Sequence, residues 1–134
     1  MKILRRSEPF APPPVNARGF FKKIDMPALQ SAPECSDAGV ILFTTQAQTE
    51  LGRHIEWGRL TGKNCVEQLG LMIGQVFRDE ETGVFYAVCK HLVPVDQGIG
   101  TGTFFMASHE VGFAAIEKAH SMMKQSDDGS QLIG

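Results

Sequence analysis

The chain of 134 residues is poor in several things that would announce a function class. Three cysteines, Cys35, Cys65 and Cys89, are an odd number without C-x-x-C spacing, which argues against a disulfide framework and against a structural zinc knuckle and fits a reducing cytoplasm. The formal net charge is only -2, so no strong field favours nucleic acid or an acidic membrane surface, and the Lys2-Arg5-Arg6 and Lys22-Lys23 clusters are short enough to be solvated faces. No apolar run approaches the roughly 18 residues of a membrane span, and Met1-Lys2-Ile3-Leu4-Arg5-Arg6 lacks the apolar stretch of a signal peptide behind it. The four histidines, His54, His91, His109 and His120, never fall at H-x-H or H-x-x-x-H spacing. His109 and His120 would share a helix, but eleven positions at 1.5 Å each put them roughly 16 Å apart, too far for one ion. Cys65 has no histidine beside it to make it a nucleophile.

What is present is 43% hydrophobic content, enough for a single packed domain, and a change of texture near residue 36. Pro9, Pro12-Pro13-Pro14, Pro27 and Pro33 mark residues 1–36 as an extended, proline-rich arm outside the sheet. Its Phe10, Phe20, Phe21, Ile24, Met26 and Leu29 are anchors for a domain surface or a partner. Gly39 to Phe43 reads as a strand, and Thr45 with Gln48 has the form of a capping box opening a helix over about 46–59, its inner stripe Ala47, Leu51, Ile55 and Gly58. His54 and Glu56 fall off that stripe.

The organising stretch is Val66 to Phe77, apolar at both parities and therefore suited to a strand covered on both faces. Gly70 and Gly74 allow close approach of another backbone. Glu67 shares parity with Leu69 and Leu71, so it points toward a packed face, where a charged carboxylate needs a partner, a metal-bound water or solvent. The plainer reading is a strand-end carboxylate bonded to backbone donors or facing water. Arg78 to Gly83 is a hairpin loop with Gly83 in the left-handed position, and Val84 to Val93 returns antiparallel until Pro94 closes it. Gly98 to Gly102 reads as a loop rather than a phosphate cradle, because neither a compact βαβ unit nor an immediate helix flanks it. After a brief strand at 103–106, Ser108 caps a second helix with Glu110 in its first turn and Val111, Ala115, Ile116, Ala119, Met122 and Met123 as its stripe. Lys118 and Lys124 lie toward the favourable C-terminal end, and Gln131 to Gly134 begins another strand.

Glu67-x-x-Gly70-Leu71-Met72-x-Gly74, followed by an apolar pair and Arg78-Asp79, resembles the opening motif of the JAMM metalloproteases, the JAB/MPN domains. The resemblance runs from about Val40 to Gly134. It implies an α+β fold with a largely antiparallel central sheet flanked by two helices, residues 37–134 forming a JAB/MPN-like domain that is C-terminally incomplete. It assigns Glu67 the role of general acid/base beside a zinc ion and Gly70 and Gly74 structural roles. In such a domain zinc acidifies a water that attacks a peptide or isopeptide carbonyl, and Glu67 would carry its proton to the leaving amine. Protein or peptide substrates, ubiquitin-like ones included, are the implied partners; nucleic acid and membrane are not.

The family holds its zinc with H-[ST]-H-P and a spaced S-x-x-D, placed directly after a strand like Gln131 to Gly134. Zinc is therefore expected for the complete domain, and these 134 residues alone are expected to bind no catalytic zinc and to hydrolyse nothing. A second reading is a non-catalytic, MPN-like binding or scaffold module. An unfinished sheet edge would also invite homo-oligomers.

Overall fold

The computed structural model describes residues 11–27, 39–55, 68–95, 98–100 and 105–134. In chain order these form β1 (Pro14–Val15), α1 (Ala17–Phe21), β2 (Val40–Phe43), α2 (Thr45–His54), β3 (Gly70–Asp79), β4 (Phe85–Pro94), β5 (Gly98–Gly100), β6 (Phe105–Ala107), α3 (His109–Ser126) and β7 (Gln131–Leu132). The fold is mixed α/β. A five-stranded sheet has the order β1-β3-β4-β2, with β7 also on β3, and β5 and β6 make a separate two-stranded ribbon.

The β3–β4 hairpin is the spine. It turns at Gly83, whose φ of 75° is a backbone state that glycine adopts at little cost. Between Ile73, opposite His91, and Gly74, opposite Cys89, the register shifts, leaving Lys90 as the extra residue of a bulge. The long hairpin and β3–β7 are antiparallel, whereas the short pairings β1–β3 and β2–β4 are parallel.

Odd positions of β3 carry the core. Ile73 packs with Val93, Val95, Ala115 and Ala119, bringing α3 onto the sheet, with Leu71, Val111, Met122 and Met123 at the margin. Phe77 packs with Ala17 and Val88 under α1. The apolar stripe of α3 is thus the expected one except at Ile116, which is 52% exposed.

Residues 11–27 correct the sequence reading of the arm. They do not lie outside the sheet: Pro14 and Val15 pair with Arg78 and Asp79, and Ala17 is buried. Phe20 lies 4.7 Å from the Phe77 ring and Phe21 lies 5.4 Å from Tyr86, centroid to centroid. Such ring contacts each add about 0.5–1.5 kcal/mol beyond area burial. Asp79 fixes the entry, its Oδ1 accepting the Ala17 N–H at 3.0 Å.

Two further expectations shift. The N-cap of α2 is Thr44, not Thr45, because Thr44 still donates its N–H to the Cys89 carbonyl at 2.9 Å and so keeps strand geometry while its hydroxyl accepts from Ala47. The glycine-rich stretch supplies strand β5 at 98–100 rather than loop alone. Ser108 caps α3 as expected, accepting from Val111.

Candidate functional site

Chemistry-bearing side chains gather where β3 begins and β4 ends, the positions Gly70 and Pro94 being paired. Glu67, three positions before β3, lies outside the described residues, as do Cys35, Cys65 and Glu56. Gly70 sits where an added Cβ would lie 3.3 Å from the Val93 carbonyl oxygen. Gly74 is buried opposite the bulge, and an added Cβ there would overlap the Val88 carbonyl. Leu69, which shares parity with Glu67, is 48% exposed.

β2 pairs with β4 only as far as Cys89, and among the described residues no strand pairs with the following half of β4 on that side. α2 runs along it. The Thr44 hydroxyl donates to the Lys90 carbonyl at 3.3 Å, and Glu50 Oε2 accepts the Leu92 N–H at 2.7 Å, doing what a neighbouring strand would do. Glu50 Oε1 accepts from Gln46 Nε2 at 2.9 Å. Gln46 and Glu50 stand four apart on one helix face, and this is the pattern by which the sequence could have revealed them. Gln46 Nε2 also lies 3.3 Å from His91 Nδ1, which is 3.7 Å from Glu50 Oε1. His54, in the last turn of α2, places Nε2 2.9 Å from the Leu69 carbonyl oxygen, tying the helix end to the approach to β3. His109 and His120 are exposed on α3.

These groups do not make a nucleophile or a metal centre. Cys89 is fully buried, and desolvation, reinforced by the Glu50 charge, pushes its thiol up to about 11, so it stays protonated at neutral pH. Among the described residues no three His, Cys, Asp or Glu side chains come together in a way that could hold a metal ion. Glu50 and His91, 3.7 Å apart, are already engaged with Gln46 and Leu92. The described residues therefore do not supply a zinc ligand set.

Among the described residues, concavities at this end of the sheet include one between Val93 to Val95 and the Glu110 to Lys118 stretch of α3, and two others. An apolar groove of about 380 Å³ runs between Leu69, Leu71 and Val95 on one side and Gly112, Phe113 and Ile116 of α3 on the other. A more polar cleft of about 520 Å³ lies between α2, the end of β4 and α3, lined by Glu50, Arg53, His54, Leu92, Pro94, Lys118 and Met122. Sequence reading did not single out Arg53, and it grouped Lys118 with the end of α3, although only Lys124 occupies the last turn.

Among the described residues no helix is long and apolar enough to cross a membrane. No protein-family model, curated protein or solved structure matches the chain.

Proposed function

We propose that these residues are the N-terminal portion of a JAMM-type peptidase or isopeptidase, acting on protein substrates, ubiquitin-like tails among them, in a cytoplasmic setting. Glu67 is its proton-transferring carboxylate. It would accept a proton from the attacking water and pass it to the leaving amine, a role contributing about 10²–10⁴ in rate where such groups operate.

The observation that carries this reading is the register of β7 on β3. Gln131 stands opposite Gly74 and Leu132 opposite Ile73, antiparallel, and the Ile133 N–H donates to the Met72 carbonyl at 2.9 Å. Each step forward along β7 is a step back along β3. A chain continuing in this register would come opposite Gly70, where β3 begins, about one residue beyond Gly134. The histidine motif that the family carries after this strand would thus run toward the Gly70 end of β3, the end that Glu67 precedes by three positions in the sequence. Zinc would have to take its ligands from that continuation.

The test is Glu67→Gln in a chain extended past Gly134, assayed on a fluorogenic isopeptide-linked substrate and checked for an unchanged melting transition. Loss of cleavage with folding retained supports the reading; unchanged cleavage removes Glu67 from the chemistry. The exposed side chains Leu69, Phe113 and Ile116, 48%, 64% and 52% accessible, favour a second reading as a binding module. Partner capture that survives Glu67→Gln and is lost in Phe113→Ser would select it.

A further inference from the structure

The cleft between α2, β4 and α3 has an unusual charge arrangement. Arg53 enters it from α2 and Lys118 from α3. Both are exposed, and neither has an ion-pair or hydrogen-bond partner among the described residues. The acid in the same cleft, Glu50, spends its two oxygens on the Leu92 N–H and the Gln46 amide rather than on either cation. Arg53 has a plain structural explanation, since a cation in the last turn of a helix complements the dipole. Lys118 has none of that kind, standing mid-helix in α3, which ends at Ser126. Leu92, Pro94 and Met122 give the same cleft an apolar lining. Its volume falls in the range of small-ligand sites, about 300–1,000 Å³.

We propose that this cleft binds an organic carboxylate with an apolar body. The planar Arg53 guanidinium offers a forked pair of donors to the carboxylate and Lys118 a second positive charge from the facing helix. Leu92, Pro94 and Met122 receive the apolar portion. The site stands independently of the peptidase reading, because none of its residues belongs to the Glu67 motif. The same chemistry is offered by a free alkyl acid and by the terminal carboxylate of a peptide ending in an apolar residue.

The experiment titrates the 134-residue chain with octanoate, with 1-octanol, and with acetyl-Ala-Ala-Leu as free acid and as amide, following backbone amide resonances of β4 and α3. Saturable binding of at least one acid, with shifts at Leu92 and Met122, is expected. The matching alcohol or amide should bind at least about tenfold more weakly, a difference of about 1.4 kcal/mol. Arg53→Gln with Lys118→Gln should weaken the acid by a similar factor or more, whereas Lys124→Gln should not, and all variants should keep the wild-type spectrum elsewhere. Preference for the peptide acid assigns the source to a chain terminus, and preference for octanoate to a free acid. No saturable binding of either acid, equal binding of the neutral analogue, or full affinity in the double variant overturns the proposal.

Discussion

Gly74 and Val88 approach so closely across the β3–β4 hairpin that a single methyl on Gly74 would overlap the Val88 carbonyl oxygen and press on the Cys89 backbone. The crowding is backbone against backbone, beside the Lys90 bulge, so no rotamer change relieves it. Gly74→Ala should lower stability by about 1–3 kcal/mol or more, the range of overpacked cores. A denaturant midpoint shifted down with an unchanged slope would record it. Gly52, inside α2 with nothing within 4 Å of an added Cβ, is the control. There alanine should raise stability by about 0.5–1 kcal/mol through helix propensity.

Much of this arrangement is written in side-chain pattern, and the rest is not, for identifiable reasons. The hairpin and α3 are legible because runs such as Leu71 to Phe77 and the stripe at Ala115 and Ala119 repeat over many residues. The packing of residues 11–27 is hidden because β1 is two residues long, and Pro14 with the preceding Pro12 and Pro13 signals only an extended chain. What binds this segment is a set of distant contacts, Ala17 to Asp79 and Phe20 to Phe77, which no local period encodes. The Thr44 cap was masked by its neighbour Thr45, since only the long-range bond to Cys89 decides between them. For the candidate site, the glycines of the motif could be read, but the edge-sealing role of Glu50 depends on where β2 stops pairing with β4.

That role carries its own prediction. Glu50→Ala removes the acceptor of the Leu92 N–H and the partner of Gln46 at once. A part-buried backbone donor left unsatisfied costs about 1–3 kcal/mol. Hydrogen exchange is the sharper measurement, because the Leu92 amide should lose protection in Glu50→Ala while the Val88 amide, deep in the hairpin, should not. Equal protection of Leu92 in both proteins would mean that the helix does not seal this edge.

Cys89 offers a readout of opening. Its thiol is fully buried and is pushed up to about 11, first by desolvation and then by the Glu50 charge, so both access and ionisation oppose attack. In a chain carrying Cys35→Ser and Cys65→Ser, a thiol-reactive disulfide should label the native protein only as fast as the sheet opens. Full labelling should appear through the unfolding transition. Rapid stoichiometric labelling of the folded chain at neutral pH would contradict the buried, protonated thiol.

Acid should act on the fold through Asp79. Its Oδ2 accepts from the Thr82 hydroxyl at 2.6 Å and the Thr82 N–H at 3.0 Å, and its Oδ1 accepts from Ala17. The Thr82 hydroxyl bond, followed by the backbone bond from Ala17, holds the carboxyl below the ordinary value. A carboxylate depressed in the folded state favours folding wherever it is ionised. Its contribution is therefore complete above the ordinary range, near about pH 4, and is lost as pH falls through the folded value. Asp128 works in the same direction: partial burial opposes ionisation, but hydrogen bonds from Lys90 and Ser130 outweigh it and hold that carboxyl well below its usual range. Both groups therefore tie acid stability to the segments clamped on the hairpin, Asp79 to α1 and Asp128 to the turn before β7. Asp79→Asn should be less stable than wild type at neutral pH, and the gap should narrow as pH is lowered from about 5 to 2, because only the wild type loses this contribution there. Thermal melts of the two proteins across that window measure it, and a gap that stays constant with pH would show that the Asp79 charge does not hold residues 11–27 on the sheet.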